Sequence, residues 1–281
     1  MLLIKTSEQL IERLANLKKN ESLGLVPTMG ALHIGHSALV KRAVEENNAV
    51  VVSIFVNPTQ FNNSTDLDKY PQTLKADLQA LEKISKDIVV FAPSIDEMYT
   101  DEVKSTNYNF GGLEHVMEGA FRAGHFDGVG TIVESLLTLV KPDRAYFGEK
   151  DFQQLQIIKK LIEIRNIPVK IIGCPIVRES NGLAFSSRNE QLSKYIRNEA
   201  SFIYKTLKSA KKIFGTESAM IVKDWVTNQF EQHQELKLEY IEITQANTLK
   251  PVVKKHKNKK YRAFIAVYAD GVRLIDNIAL N

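Results

Sequence analysis

Short, almost continuously apolar segments alternate with helical patterns over the first 175 residues, and this alternation constrains the fold more than any other feature of the sequence. A strand that is apolar at consecutive positions is expected to have both faces buried, which is typical of a parallel sheet between layers of helices. The predicted strands are residues 23–26, 49–56, 88–91, 145–147 and 169–172. The sequence therefore predicts an α/β fold with a Rossmann-like, doubly wound parallel sheet, whose ligands bind at the carboxyl ends of the strands.

The pattern changes after about residue 180, where two longer helical stretches come first and strands follow. The expected helices and strands lie near residues 190–213, 218–232, 237–243, 261–268 and 272–276. Asp270 and Gly271 separate the last two strands, and this dipeptide favours a tight hairpin turn. The sequence thus predicts a Rossmann-like domain over residues 1–178 and a smaller α+β domain over residues 179–281.

Composition places the chain among ordinary globular proteins. At 281 residues, with 44% hydrophobic and 25% charged residues, it is long enough for one large or two modest domains. No apolar run approaches the ~20 residues that a membrane-spanning helix needs, so no membrane partner is expected. The single cysteine, Cys174, excludes an internal disulfide and fits a reducing, cytoplasmic location.

The net charge of +4 is weak support for a nucleic-acid partner. The densest basic stretch, KKHKNKK at residues 254–260, lies between two predicted strands and is interpreted as the solvated loop of a hairpin. Aromatic side chains, on which single-stranded bases would stack, are not interleaved with these lysines. We therefore expect no nucleic acid partner.

The segment PTMGALHIGH, residues 27–36, carries the most specific chemical signal. It leaves a predicted strand, turns at a glycine and enters a helix whose first turn carries His33 and His36. A helix N-terminus favours anions, and two imidazoles on one helix face can donate to phosphate oxygens as charge builds during attack. Gly35 between them would let a flat base lie against the backbone. Two surface histidines beside a packing glycine are the alternative, which the strand–turn–helix context disfavours.

Two further segments carry cations, one after the predicted strand at residues 145–147 and one after a short strand predicted at residues 176–177. FGEKD, residues 147–151, opens a helix, and its Lys150 is a mobile cation that can reach a phosphate. FSSRN, residues 185–189, can clamp terminal phosphates with two hydroxyls and a guanidinium. Each signal is weak alone, because a capped helix start with an exposed cation has the same sequence. Gln153 and Gln154 follow FGEKD, and their amides could meet a polar substrate.

Taken together, these segments resemble a known family. HIGH with a downstream serine-and-basic segment is similar to the two signatures of the class I aminoacyl-tRNA synthetase and nucleotidyltransferase superfamily. Within it, the chain resembles the pantothenate synthetase (pantoate–β-alanine ligase) family, whose motifs occur here in the family's order. They are PTMGALHIGH, FVNPTQF (55–61), YPQTL (70–74), GHFDGV (124–129), YFGEKD (146–151), SSRN (186–189) and RLIDN (273–277).

The resemblance implies an ATP-dependent ligase that condenses pantoate with β-alanine through an enzyme-held pantoyl adenylate, releasing AMP and pyrophosphate. The implied catalytic residues are His33, His36, Lys150 and Arg188. The implied ATP-binding residues are Pro27, Thr28, Met29, Gly30, Ala31, Leu32, His33, Ile34, Gly35, His36, Gly148, Glu149, Lys150, Asp151, Val177, Phe185, Ser186, Ser187 and Arg188. The implied substrate-side residues are Asn57, Gln60, Tyr70, Arg122 and Gln154. Asp77 is the implied Mg²⁺ ligand, and a homodimer is the implied assembly.

Some features leave alternatives open. Four positions depart from the family pattern, namely Gln72, Ala123, Asn181 and Phe185. The polar stretch at residues 62–68 could form a lid over the adenylate or could be a plain loop. The alternatives for the whole chain are a related adenylyl-transferring enzyme that acts on another acid, a nucleic-acid-binding module and an inactive nucleotide sensor. Pyrophosphate release with pantoate present and nucleic acid absent would separate them.

Overall fold

The computed structural model describes residues 1–18, 20–61, 67–68, 70–99 and 101–281, and its larger sheet has six parallel strands. These are β1 (Leu2–Ile4), β2 (Leu23–Thr28), β3 (Ala49–Ile54), β4 (Val89–Phe91), β5 (Arg144–Gly148) and β6 (Lys170–Cys174). β2 and β3 are buried along most of their length, as expected for strands that are covered on both faces. The predicted doubly wound parallel sheet is confirmed.

The strand order, β1-β4-β3-β2-β5-β6, places β2 in the interior of the sheet between β3 and β5. From β2 the chain builds outward through β3 and β4 on one side, and then adds β5 and β6 on the other side. The direction of winding therefore reverses between β2 and β5. A crevice that binds ligands is expected outside the carboxyl ends of the strands at such a point.

Helices flank these strands. In chain order they are α1 (Ser7–Ala15), α2 (Ile34–Glu46), α3 (Leu74–Glu82), α4 (Ile95–Met98), α5 (Glu118–Phe121), α6 (His125–Val140) and α7 (Phe152–Arg165). Thr6 is the N-cap of α1, and its hydroxyl accepts a hydrogen bond from the Gln9 N–H. The periodicity does not predict β1, because three residues at the edge of a sheet are too few to show a pattern.

The rest of the chain contains a second, antiparallel sheet of three strands. They are β7 (Leu236–Gln245), β8 (Tyr261–Ala269) and β9 (Val272–Ala279), in this order. Asp270 and Gly271, with φ of 49° and 76°, both adopt left-handed conformations between β8 and β9, which confirms the predicted tight hairpin. The basic stretch at residues 254–260 lies in the connection between β7 and β8.

Three helices precede this sheet, namely α8 (Lys194–Glu199), α9 (Ser201–Phe214) and α10 (Ala219–Glu231). The prediction of one helix near residues 190–213 is wrong, because a 3₁₀ turn at Ser187–Gln191 comes first and Ala200 separates α8 from α9. The Ser193 hydroxyl accepts from the Ile196 N–H and so starts a new helix. A continuous apolar pattern can therefore span two short helices.

The described residues divide into two compact units. The first unit contains Met1–Glu149 and Gln153–Pro175, and the second contains Lys150–Phe152 and Ile176–Asn281. This division differs from a single cut after residue 178, because it assigns Lys150–Phe152 and residues 176–178 to the second unit. A contiguous hydrophobic core joins α9 and α10 of the second unit to its sheet.

Cys174 is a buried packing residue at the end of β6. Burial raises the pKa of its thiol, which favours the uncharged and unreactive form. Among the helices that the structure describes, none is both long enough and apolar enough to cross a bilayer.

Candidate active site

The turn between β2 and α2 lies at the reversal point of the large sheet. β2 ends at Thr28, whose hydroxyl donates to the Ser53 carbonyl at 2.7 Å and accepts from the Gly30 N–H at 3.2 Å. Gly30 has φ of 80°, and Ala31 follows with φ of 49°. A left-handed conformation costs a residue with a Cβ roughly 1–2 kcal/mol. Other contacts in the unit must therefore hold Ala31 in place.

The carboxylate of Asp77, in the first turn of α3, provides these contacts. Its Oδ2 accepts from the Ala31 N–H at 3.1 Å, and its Oδ1 accepts from the Leu32 N–H at 2.7 Å. The Thr73 hydroxyl lies 3.2 Å from both carboxylate oxygens. Asp77 thus fixes the shape of the turn through two backbone hydrogen bonds.

These contacts do not fit the predicted role of Asp77 as a Mg²⁺ ligand. Mg²⁺ demands a nearly octahedral shell of oxygens and usually keeps several waters. Asp77 is only 2% exposed, and each of its oxygens already accepts from a backbone N–H. In the part of the chain that the structure describes, no group of three or more His, Cys, Asp or Glu side chains could hold a metal ion.

His33 and His36 cap the helix that follows the turn. His33 is the N-cap residue of α2, one position before the helix in which it is predicted, and its Nδ1 accepts from the Gly35 N–H at 3.1 Å. The Nδ1 of His36 accepts from the His33 N–H at 3.3 Å, and the two ring centroids are 4.0 Å apart. Because each Nδ1 is an acceptor, a neutral ring carries its proton on Nε2. Both imidazoles are therefore set as Nε2–H donors where the helix itself favours an anion.

The residues after β3 form a 3₁₀ turn, Pro58–Gln60, which is anchored to α6. The side-chain amide of the buried Asn57 donates to the Gly128 carbonyl at 3.0 Å, and its oxygen accepts from the Tyr99 hydroxyl at 2.5 Å. A Cβ on Gly128 would lie 2.3 Å from the Thr59 carbonyl oxygen, so only glycine allows this approach. Asn57 therefore holds the turn in place, and the partners of these hydrogen bonds are groups of the protein itself.

Gln60, at the end of this turn, joins it to the β2–α2 turn. Its side-chain amide donates to the Met29 sulfur. Its backbone carbonyl accepts from His125 Nδ1 at 2.8 Å and from the Arg122 guanidinium at 3.3 Å. The structure thus brings together Met29, Gln60 and Arg122. The motif GHFDGV contains His125, yet nothing in the motif predicts its contact with Gln60.

Gln153 and Gln154 are neighbours in α7 and have different surroundings. The amide of the buried Gln153 donates to the carbonyls of Leu113 and Val116 at 2.8 and 2.7 Å, and it accepts from the Glu118 N–H at 3.0 Å. Little of its hydrogen-bonding capacity remains for a substrate. Gln154 is half-buried in the first turn of α7, after β5.

Tyr70 packs beside the 3₁₀ turn, with its ring edge-on to Phe61 and the centroids 5.7 Å apart. Phe61 directly follows Gln60, so Tyr70 lies close to the end of the turn that carries Gln60. Of the predicted lid, residues 62–66 lie outside the described residues.

In the second unit, the predicted phosphate-binding residues lie on two segments. Lys150 Nζ is 3.6 Å from the Asp151 carboxylate, and the Lys150 carbonyl accepts from the Asn277 side-chain amide at 2.8 Å. Ser186 caps the following 3₁₀ turn by accepting from the Arg188 N–H at 3.3 Å. Arg188 is half-buried, unlike the exposed side chain of a simple capped turn.

The Ser186–Arg188 region closes a narrow loop. The Phe185 N–H donates to the Val177 carbonyl at 3.0 Å. The buried Asn189 donates to the Ala184 carbonyl at 3.0 Å and to the Glu179 carboxylate at 2.8 Å. The residues of this loop that are predicted to bind ATP are Val177, Phe185, Ser186, Ser187 and Arg188.

Comparison with known proteins adds independent findings. The model of the family described as pantoate-beta-alanine ligase matches residues 2–279. The pantothenate synthetase of Christiangramia forsetii is 58% identical over 282 residues, covering 100% of both chains. The crystal structure of pantothenate synthetase from Thermus thermophilus matches with a TM-score of 0.91 at 38% identity, covering 100% of this chain and 99% of that one. The pantoate-beta-alanine ligase of Francisella tularensis, complexed with Beta-gamma ATP and Beta-alanine, matches with a TM-score of 0.84 at 38% identity, covering 100% and 98%.

Proposed function

This chain belongs to the pantoate-beta-alanine ligase family, and we propose that its reaction begins at the turn between β2 and α2. The enzyme catalyses the ATP-dependent ligation of pantoate and β-alanine. A carboxylate is a poor acyl donor, so pantoate is first activated as pantoyl adenylate with release of pyrophosphate. The amine of β-alanine then attacks the adenylate and displaces AMP. One observation carries the assignment to this turn: two imidazoles are set as Nε2–H donors at a helix N-terminus.

We assign His33 and His36 to the oxygens of the ATP α-phosphate. When the pantoate carboxylate attacks this phosphate, negative charge grows on its non-bridging oxygens. Donors that are already oriented stabilise such charge without further reorganisation, and phosphoryl chemistry needs positioning more than covalent catalysis. The hydrogen bonds from Ala31 and Leu32 to Asp77 support this role, because they keep the approach to the helix in one shape.

Gln60 and Gln154 are the proposed pantoate-binding residues. Pantoate carries a carboxylate and two hydroxyls, and neutral amides can both donate to and accept from such groups. Gln60 follows β3 and Gln154 follows β5, the two strands that flank β2. The carboxyl ends of parallel strands share one edge of the sheet, which supports a common pocket in the first unit. Arg122 is assigned to the same pocket, because its guanidinium donates to the Gln60 carbonyl.

Within the second unit, Lys150 and Arg188 are the cations that we assign to the ATP phosphates. A guanidinium binds phosphate with two parallel donors, and an ammonium acts as a mobile point charge. The Ser186 and Ser187 hydroxyls are assigned to the same phosphates. Gly148, Glu149, Asp151, Val177 and Phe185 are assigned to the remainder of the nucleotide.

Mg²⁺ is proposed to arrive on the ATP phosphates, because phosphate oxygens and water supply most of its ligands in nucleotide-dependent enzymes. Asp77 is not assigned to it.

A homodimer and a cytoplasmic location are also proposed. Family membership supports the first, and a single, buried cysteine supports the second.

Positional isotope exchange in ATP tests the two-step reaction. With ATP, Mg²⁺ and pantoate but no β-alanine, label should scramble between the bridging and non-bridging positions, because bound pyrophosphate can rotate before the step reverses. Omission of pantoate should abolish the exchange. Exchange that required β-alanine would contradict an adenylate formed before the amine enters. AMP release with another hydroxy acid but not with pantoate would instead identify a related enzyme of different specificity.

Replacing Gln60 or Gln154 by Ala is expected to raise KM for pantoate and to lower kcat/KM. The loss corresponds to about 1–3 kcal/mol of transition-state stabilisation, because a polar group of pantoate loses its hydrogen-bond partner. ATP binding measured without pantoate should hardly change. Gln156→Ala is the matched control, since Gln156 lies in α7 as Gln154 does. This variant should leave KM for pantoate unchanged. Loss of ATP affinity with normal pantoate dependence would assign both glutamines to the nucleotide instead.

A further inference from the structure

The end of β9 contacts both phosphate-binding segments of the second unit. Asn277 is 2% exposed, and its Nδ2 donates to the Lys150 carbonyl. Asp276, which precedes it, is 4% exposed, and its carboxylate accepts two hydrogen bonds from the Arg178 guanidinium at 2.6 and 2.9 Å. Arg178 directly follows Val177, at the start of the loop that carries Ser186. Two consecutive side chains thus reach two separate segments of the chain.

Arg178 is held firmly by its other contacts. Its guanidinium also donates to the Gly182 carbonyl at 3.2 Å and lies over the Tyr204 ring at 3.6 Å from the centroid. Its backbone forms an antiparallel bridge with Ala184, directly before Phe185. Arg178 therefore connects Asp276 to the loop, through its guanidinium at Gly182 and through its backbone at Ala184.

Asn277 has only one amide orientation that fits its contacts. Its Oδ1 accepts from the Arg262 guanidinium, so its Nδ2 must face the Lys150 carbonyl. Arg262 also stacks on the Phe152 ring, 3.9 Å from the centroid, and Phe152 packs on Phe264 with centroids 5.9 Å apart. β9 thus holds the Lys150 end of the stretch Lys150–Phe152, and β8 holds its Phe152 end.

We propose that Asp276 and Asn277 are positioning residues for the adenylation step. Asn277 fixes the backbone from which the Lys150 side chain extends, and Asp276 acts through Arg178 on the loop that carries Ser186 and Arg188. In this role neither residue touches the substrate. The proposal rests on the proposed function of Lys150 and Arg188 as phosphate-binding cations. A long cation that extends from a fixed backbone loses less freedom when it engages a phosphate. Buried polar side chains at a strand end are costly unless they are fully paired, and here the pairing runs to these segments.

The variant Asn277→Asp tests this inference. It keeps the shape and the acceptor for Arg262, but it turns an oxygen toward the Lys150 carbonyl in place of a donor. We expect kcat of pantoate-dependent isotope exchange to fall roughly 10- to 100-fold, as for other small misplacements near a reacting group, while KM for β-alanine stays unchanged. In a Lys150→Ala background the same substitution should add little, because its effect passes through Lys150. Asp276→Asn should couple in the same way to Arg188→Ala.

Leu274→Ala is the matched control, because Leu274 is buried in the same strand and belongs to the core of this unit. It should lower Tm at least as much as Asn277→Asp while kcat stays unchanged. Asn277→Ala removes the donor without adding charge, and it serves if Asn277→Asp does not fold. An equal loss of kcat in Leu274→Ala, or multiplicative losses from Asn277→Asp and Lys150→Ala, would overturn the positioning role. Full activity of Lys150→Ala would overturn the assignment of Lys150 to the ATP phosphates. This outcome is distinguishable from a failure of the positioning role alone.

Discussion

Replacing His36 by Ala is expected to lower kcat for pantoyl adenylate formation by roughly 10²–10³-fold, or about 3–4 kcal/mol of transition-state stabilisation. The same size of effect is expected for His33→Ala. Each imidazole is assigned to charge that grows only as the phosphate is attacked, so KM for ATP should change much less than kcat. Isotope exchange at saturating ATP and pantoate measures this directly.

The capping geometry provides a matched control for this experiment. Both histidines accept backbone hydrogen bonds at the start of α2, so Ala also removes a cap, which costs about 0.5–2 kcal/mol of stability. Asn is a strong N-cap residue, and Gln at the third helical position can accept from the N-cap N–H. The variants His33→Asn and His36→Gln should therefore keep Tm near that of the parent and still lose kcat. If they regained full kcat, both imidazoles would be caps without a chemical role.

Replacing Asp77 by Ala is expected to lower the free energy of unfolding by about 2–5 kcal/mol, because two backbone N–H groups lose their acceptors in a buried place. Ala31 would then be free to leave its left-handed conformation, and the approach to α2 would lose its shape. KM for ATP should rise as a result. Denaturant unfolding and ATP kinetics on the same variant measure the two effects together.

A Mg²⁺ titration separates this explanation from a metal-binding role. If Asp77 shapes the turn, Asp77→Asn should reach half-maximal activity at the same Mg²⁺ concentration as the parent enzyme at saturating ATP. A large rise in that concentration with unchanged unfolding would restore Asp77 as a metal ligand. Asp143→Ala is the control, since Asp143 accepts from the Leu23 N–H at 2.7 Å at the opposite end of β2. It should cost stability without changing KM for ATP.

The interior of the large sheet is predictable from the sequence because burial on both faces leaves almost no polar residue in its strands. Leu25, Val26, Val51 and Val52 are fully buried, and each lies in a segment with a clear apolar pattern. β1 shows the opposite case, because it has three residues, two of them exposed. The separation of α8 from α9 is also hidden, since Ala200 is a good helix former and the apolar period continues across it.

The candidate site is predictable where a literal motif marks it and unpredictable where a long-range contact defines it. His33 and His36 stand out from the sequence alone. Asp77 is a polar residue in the first turn of a helix, and nothing local indicates that its carboxylate reaches an N–H 45 residues away. Gln153 and Gln154 differ by one helical position, and an error of one residue in the start of α7 would exchange their roles.

Lys150–Phe152 pack with the second unit although the chain on both sides of them belongs to the first. An amino-terminal fragment that ended at Pro175 would keep Lys150 but would lack β9, the strand that holds its carbonyl. The complementary fragment would keep Arg188 without Lys150. Neither half is a transferable module, so a chimaera of two relatives that is joined near residue 175 would combine a lysine from one parent with an anchoring strand from the other. Exchange of residues 150–152 together with the carboxyl-terminal half would keep both from one parent.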